Sequence, residues 1–86
     1  MDQNQIQQFK DKLDDQHEWP GPYTFKFIVP SDKVSEVEDL LGSNSQRKAS
    51  KNGNYISVTA HLHLQSSQEV VDIYIQAKSI DGIISL

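Results

Sequence analysis

Two histidines, His61 and His63, are the side chains of this chain best suited to metal chemistry. If their segment is a β-strand, residues i and i+2 point to the same face of the sheet, and two imidazoles placed in this way can share a metal ion. A metal site needs a third ligand, and we expect no carboxylate beside the two histidines on that face. We therefore expect ordinary surface histidines and no metal site.

Catalytic chemistry has little support in the sequence. The absence of cysteine excludes thiolate nucleophiles and thiolate metal sites. Asp14 and Asp15 are adjacent, and adjacent helical residues point about 100° apart, so their carboxylates cannot act on one proton. The chain has no phosphate-binding glycine loop and no G-x-S-x-G motif. We therefore predict a protein that is not an enzyme, without catalytic residues or a cofactor.

The strand that carries both histidines is the clearest element of the sequence. It belongs to the segment SKNGNYISVTAHLHL, residues 50–64. Asn52-Gly53 suits a two-residue hairpin turn with positive φ at both positions. After this turn, apolar residues alternate with mostly polar ones, which indicates a strand with one buried and one solvent-exposed face. The apolar row consists of Ile56, Val58, Ala60, Leu62 and Leu64.

The part of the chain before this hairpin predicts two helices and a strand. Residues 3–15 carry an apolar stripe at helical spacing, and residues 22–29 alternate as a strand does. A second helix is predicted over 31–41, with Ser31 as its N-cap and Gly42 as its stop. The apolar rows are Ile6, Phe9 and Leu13, then Tyr23, Phe25, Phe27 and Val29, then Val34, Val37, Leu40 and Leu41.

Three further elements complete the prediction. The polar segment 43–51 is predicted to form a short, weak strand that leads into the hairpin turn. Ser66 and Glu69 have the spacing of a capping box at the start of a helix, which we expect to end at Asp81-Gly82. The helix presents Val70, Ile73, Tyr74, Ala77 and Ile80, and a final strand contains Ile83, Ile84 and Leu86.

This element order predicts an α+β fold. After the N-terminal helix, the order βαββαβ has one frequent compact solution, the ferredoxin-like two-layer sandwich, with a four-stranded antiparallel sheet and both helices on one face. Right-handed crossovers favour the strand order 4-1-3-2, with strands 22–29 and 54–64 at the centre. We divide the chain into an N-terminal helical extension, residues 1–17, and a ferredoxin-like domain, residues 18–86.

The register of the hairpin raises a question about Arg47. With a two-residue loop, Ala49 opposes Ile56 and Arg47 opposes Val58, which places Arg47 on the apolar face. A guanidinium there must reach water or pair with a carboxylate. Either the edge strand frays before Arg47 or the loop is longer, and we expect fraying. We interpret the basic residues of this strand as protection of a sheet edge.

The polar rows of the strands form the candidate functional surface. A sheet face without helices can bind a ligand, stack nucleobases or pair with another subunit. It can also be an ordinary solvated face, and the helix over 3–15 could instead fold across it. The candidate residues for binding a partner or ligand are Lys26, Lys48, Ser50, Tyr55, Ser57, Thr59, His61 and His63.

Composition narrows the class of protein. The 86 residues, 36% of them hydrophobic, suit a single small globular domain. A net charge of −4 argues against a general nucleic-acid binder. No apolar run is long enough to span a membrane, and the N-terminal segment does not resemble a signal peptide. We therefore expect a cytoplasmic protein without membrane contact.

Three segments resemble the YbeD-like (DUF493) family of small bacterial domains of unknown function. They are EWPGPYTFKFIVP, the hairpin segment above and EVVDIYIQAKSIDGIISL. The resemblance implies a ferredoxin-like fold similar to regulatory ACT domains, which commonly bind small ligands at subunit interfaces. Some members have been discussed as regulators of lipoate metabolism, and no catalytic residue can be carried over. The signature S-K-x-G-N-Y-x-S-V is represented by Ser50, Lys51, Gly53, Asn54, Tyr55, Ser57 and Val58.

Fold and resemblance together favour one function over two others. We expect a cytoplasmic, non-enzymatic regulatory or adaptor domain that acts by protein contact or by sensing a small metabolite at a homodimer interface. The alternatives are a pure protein-interaction module without a ligand and, with less support, an RNA-binding domain. RNA-binding sheets of this fold display several aromatic residues, and here Tyr55 is the one evident on the polar face.

Overall fold

The structure is a computed structural model that describes residues 2–42 and 44–85. Met1, Ser43 and Leu86, which belong to the predicted extension 1–17, strand 43–51 and final strand, lie outside the described residues. The elements are the helix α1 (Gln3–Gln16), the strand β1 (Gly21–Pro30), a 3₁₀ turn (Ser31–Lys33), the helix α2 (Val34–Leu41), the strands β2 (Gln46–Ala49) and β3 (Tyr55–Leu64), the helix α3 (Ser67–Ala77) and the strand β4 (Ile84–Ser85).

The four strands form one antiparallel sheet in the order β2-β3-β1-β4. This is the predicted order 4-1-3-2 read from the opposite edge, and the α+β ferredoxin-like fold with an added N-terminal helix is confirmed. The central strands β1 and β3 pair along their whole length, from Gly21 opposite Leu64 to Pro30 opposite Tyr55. The edge strand β4 is much shorter and pairs with Phe27 and Ile28, in the C-terminal half of β1.

The core lies between the sheet and the helices and is built from the predicted apolar rows. On β1, Phe25, Phe27 and Val29 are buried, because alternation turns all three toward α2 and α3. On β3, Val58 and Ala60 are buried for the same reason. The buried cluster as a whole comprises Leu13, Phe25, Phe27, Val29, Val34, Val37, Leu41, Val58, Ala60, Leu64, Val70, Val71, Ala77 and Ile80.

The start of α2 differs from the prediction. Ser31 is not an N-cap: it opens the 3₁₀ turn, and α2 begins only after Lys33, which makes no side-chain cap bond. The backbone N–H of Ser31 donates to the carbonyl of Asn54 at 3.0 Å, so this residue is held to the hairpin loop instead of starting the helix. The end of α2 is as predicted, because Gly42 has a φ of 91° and donates to the Glu38 carbonyl at 2.8 Å.

The helix α3 begins after Ser66 as predicted, but its capping bonds and its C-terminal end differ from the prediction. The Ser66 hydroxyl makes no capping bond, and the Glu69 carboxylate accepts the backbone N–H of Gln65, so the predicted capping box is wrong. The helix ends at Ala77 and not at Asp81-Gly82. Tight turns follow, in which Ile80 N–H donates to the Ala77 carbonyl at 3.0 Å.

The β2–β3 hairpin has the predicted strand pairs but a different turn. Gly53 has a positive φ of 75°, whereas Asn52 has a negative φ. The turn hydrogen bond runs from the Gly53 N–H to the Ser50 carbonyl at 3.0 Å, and the Ser50 N–H donates to the Tyr55 carbonyl at 2.8 Å. The predicted two-residue turn is therefore wrong, and the loop comprises residues 51–54.

Arg47 is ordered within β2, so the predicted fraying of the edge strand before it is wrong. It lies opposite Val58, on the side of the sheet that faces the helices. Its guanidinium donates two hydrogen bonds to the Glu38 carboxylate of α2, at 2.7 and 2.6 Å. These bonds lower the pKa of the Glu38 carboxyl and raise the pKa of the Arg47 guanidinium. The bidentate pair holds the edge strand to the helix above it.

The helix α1 packs against α3 and leaves the other side of the sheet uncovered. It begins with a capping box, in which the Asp2 carboxylate accepts the Gln5 N–H at 2.8 Å. The Phe9 ring meets Tyr74 of α3 edge-on at 5.6 Å between centroids, and Leu13 is buried in the core. The alternative in which the N-terminal helix folds across the open side of the sheet is therefore wrong. None of the described helices combines the length and apolar character of a membrane span.

Tyr74 makes the stability of the fold sensitive to alkaline pH. Its hydroxyl lies 3.3 Å from that of Tyr23, and burial, followed by this hydrogen bond, raises the pKa of the Tyr74 phenol above its ordinary value of 10.0. The Tyr74 phenol therefore loses its proton at a lower pH in the unfolded chain than in the folded protein. Its contribution to the free energy of unfolding is fully present below about pH 10 and is lost as the pH rises toward the folded-state pKa.

We expect the free energy of unfolding to decrease between about pH 9 and about pH 11, and to decrease less in the variant Tyr74→Phe. Urea unfolding at a series of pH values, followed by circular dichroism, measures both slopes. Tyr55→Phe is the matched control, because it removes an exposed phenol. Equal slopes for Tyr74→Phe and the unmodified protein would contradict this role of Tyr74.

Candidate binding surface on the open sheet face

The candidate functional surface is the side of the sheet that faces away from the helices, which we call the open face. Its side chains come from alternate positions of the strands, because a strand turns successive residues to opposite sides. They are Pro22, Thr24, Lys26 and Ile28 of β1, Gln46 and Lys48 of β2, Tyr55, Ser57, Thr59, His61 and His63 of β3, and Ile84 of β4, with Ser50 at the hairpin.

Two large side chains of the open face are exposed to solvent. Tyr55 is 48% exposed at the hairpin end of β3, and Ile84 is 52% exposed on β4. Between them lies Ile28, which pairs with Ile84 on one side and with Ser57 on the other. The open face therefore offers its apolar contact area near the hairpin end of the sheet, with polar side chains further along β1 and β3.

A shallow depression of about 280 Å³ lies at the β2 side of the open face. It brings together five of the eight predicted site residues, whereas Thr59, His61 and His63 lie further along β3 and outside it. Its floor is apolar and its rim carries two lysines. The lining residues are Lys26, Ile28, Lys48, Ala49, Ser50, Tyr55 and Ser57.

The two serines of the depression stabilise the hairpin. The Ser57 hydroxyl donates to the Lys48 carbonyl at 3.3 Å. The Ser50 hydroxyl donates to the Asn52 side chain at 3.3 Å and accepts the Tyr55 N–H at 3.2 Å. Both hydroxyls are therefore occupied within the hairpin, which leaves the lysine ammonium groups and the Tyr55 phenol as the polar groups of the depression available to a partner.

Thr24 and His61 form the only hydroxyl–imidazole pair on the open face, with 2.7 Å between Oγ1 and Nδ1. Such a pair resembles a nucleophile with its base, but catalysis also requires a third group that orients the imidazole. Among residues 2–42 and 44–85, His61 has no such partner, and both side chains are exposed. The same residues contain no group of three histidine, aspartate or glutamate side chains that could hold a metal ion.

The sequence-based site omitted two apolar members of the open face, Ile28 and Ile84. The alternation of β1 does place Ile28 on this face. Ile84 follows another isoleucine, Ile83, so no alternation assigns either of them to a face. In the structure Ile83 is half-buried against the core and Ile84 faces solvent.

Comparisons with known proteins agree with the resemblance seen in the sequence. The family model described as "Protein of unknown function (DUF493)" matches residues 14–86. The UPF0250 protein of Shewanella halifaxensis (strain HAW-EB4) is 28% identical over 80 residues, which cover 84% of this chain and 91% of that relative. No solved structure matches the chain. The family match spans most of the chain and includes all four strands, and the chain therefore belongs to the DUF493 family of proteins of unknown function.

Proposed function

We propose that this protein is a cytoplasmic, non-enzymatic regulatory or adaptor domain that binds another protein through its open face. The observation that carries the proposal is the exposure of Tyr55 and Ile84 on a sheet face that α1, α2 and α3 all leave uncovered. Exposed aromatic and large aliphatic side chains are typical of interface centres, where burial on binding supplies much of the affinity.

The shape of the depression favours a protein over a metabolite as the ligand. Small-molecule sites bury about 70–90% of the surface of their ligand. The depression around Tyr55 is shallow and lies at a sheet edge, so a small ligand would remain largely in solvent. A protein surface can cover the depression and the neighbouring Ile84 at the same time. Metabolite sensing at a homodimer interface is the competing outcome of the experiment below.

Site-specific photocross-linking tests the proposal. The photoreactive residue p-benzoylphenylalanine replaces Thr24 on the open face or, as a matched control, the exposed Gln76 of α3. The full chain is irradiated in the cells that produce it. We expect a protein adduct from position 24 and not from position 76, and we expect Tyr55→Ala to reduce its yield at least about tenfold, as removal of an interface anchor does.

Three results would contradict the proposal. They are the absence of any protein adduct from position 24, equal adducts from both positions, and an adduct that consists of two copies of this chain. The third result would favour the homodimer with its interface ligand. Circular dichroism of each variant checks that the fold is retained.

A further inference from the structure

The acidic side chains of the molecule all lie on helices and loops, outside the strands of the sheet. The chain has 12 aspartate and glutamate residues, and none of them lies on a strand. Three basic residues do lie on strands, namely Lys26, Arg47 and Lys48. Because Arg47 points to the helical side and pairs with Glu38, the open face carries Lys26 and Lys48, two histidines and, within residues 2–42 and 44–85, no carboxylate.

The two lysines of the open face lie on either side of β3. Lys26 lies opposite Thr59, and Lys48 lies opposite the next residue of β3 on the same face, Ser57. Both line the depression that contains Ile28 and Tyr55. Among the described residues, neither lysine has a carboxylate within ion-pair distance. The depression therefore combines an apolar floor with two unpaired positive charges.

We propose that the occupant of the open face is an acidic segment of a partner protein, which places a large apolar side chain in the depression and carboxylates against Lys26 and Lys48. This inference rests on the proposed function and adds the chemistry of the partner. Complementary charge sets the register of a protein contact and suppresses wrong partners. An apolar side chain over Ile28 and Tyr55 would supply the contact area that the lysines do not.

The size of the open face fits a single segment. Its central strands have 10 residues each, or about 33 Å at about 3.3 Å per residue. The edge strands β2 and β4 are shorter, with four and two residues. At about 3.3 Å along a strand and about 4.8 Å between strands, the residues of the four strands cover roughly 400 Å², which is below the roughly 800 Å² that each partner contributes to a standard stable interface. One extended or helical segment of a partner covers such an area.

Charge also argues against two other occupants. A symmetric pairing of two open faces would enclose the two lysines of each copy in one interface without a carboxylate from the strands, and an excess of like charge at an interface is unfavourable. RNA would meet a single exposed aromatic residue, Tyr55, and a chain whose net charge is −4. A second copy and an RNA are therefore results that the experiment must distinguish from an acidic protein segment.

The test identifies the segment that is cross-linked to position 24 of the full chain. Adducts are digested, and mass spectrometry locates the modified peptide of the partner. We expect a peptide with a net negative charge and at least one large apolar residue. We expect the double variant Lys26→Glu with Lys48→Glu to reduce the adduct at least about tenfold, since each substitution replaces attraction by repulsion.

The matched control is Lys12→Glu with Lys78→Glu, which changes the net charge equally at exposed positions outside the sheet and leaves the yield unchanged. If the glutamates unfold β2, the pair Lys26→Gln with Lys48→Gln replaces them and lowers the yield in the same direction. Three results would overturn the inference and still leave a contact on the open face. They are a cross-linked segment that is neutral or basic, an adduct with RNA, and an adduct yield that neither the glutamate pair nor the glutamine pair changes. Absence of any adduct from position 24 would instead overturn the proposed function.

Discussion

Phe27→Ala is expected to lower the free energy of unfolding by about 3–5 kcal/mol, because it removes a ring from the centre of the core and leaves a cavity. Phe27 is 1% exposed. Its ring stacks on Phe25 at 6.1 Å between centroids and meets Tyr74 edge-on at 5.7 Å. Small domains have a total stability of about 5–15 kcal/mol, so the variant loses a large share of the stability of the fold. Urea unfolding monitored by circular dichroism measures the loss.

Lys26→Ala is the control for this experiment, because Lys26 is the neighbouring residue of β1 on the opposite side of the sheet. A substitution at an exposed position of this kind changes the free energy of unfolding by less than about 0.5 kcal/mol. If both variants lost the same free energy, or if Phe27→Ala lost less than about 1 kcal/mol, the assignment of the two faces of β1 would be contradicted.

Leu13→Ala is expected to lower the free energy of unfolding by about 2–5 kcal/mol. Leu13 is the buried residue of α1 and is 4% exposed. It belongs to the same core cluster as the sheet residues, so its removal should weaken the whole domain and not only the helix. The measurement is again urea unfolding, with the exposed neighbour Lys12→Ala as the control.

This variant also tests the predicted division of the chain at residue 17. If Leu13→Ala and Lys12→Ala had the same unfolding midpoint, residues 1–17 would be an extension without a share in the core. A cooperative loss of stability for Leu13→Ala alone would place α1 within the folding unit of the sheet.

The alternation of two strands was sufficient to predict the architecture. The core residues of β1 are all odd-numbered and those of β3 are all even-numbered. This alternation places them on one face of the sheet, which is the face that becomes buried. The order of the strands followed from the handedness of the two crossovers. Placement of Tyr55, Ser57 and Lys48 on one face followed from the same alternation, so the composition of the open face was largely readable from the sequence.

Turns and helix ends were not predictable in the same way. Ser31, Ser66 and Asn52 each have the residue type that the expected cap or turn requires. The hydrogen bonds formed at each position differ from those that the residue type alone predicts. The backbone of Ser31, for example, bonds to Asn54 of the hairpin loop.

Contacts between elements, like turns and helix ends, were not predictable from the sequence. Nothing in the sequence pairs Arg47 with Glu38, because the contact exists only when α2 lies over the edge of the sheet. The stripe Ile6, Phe9 and Leu13 could pack on any apolar surface. Its position against α3, and not across the open face, depends on shape complementarity with Tyr74 and its neighbours.

The two central strands assign packing and surface chemistry to separate positions within the same ten residues. Substitution of Lys26 or His61 can therefore change the outward surface without altering the buried side chains of Phe25 or Val58. Insertion of a single residue would exchange the two sets at once. The fold thus tolerates changes in the outward identities of β1 and β3 and constrains their length.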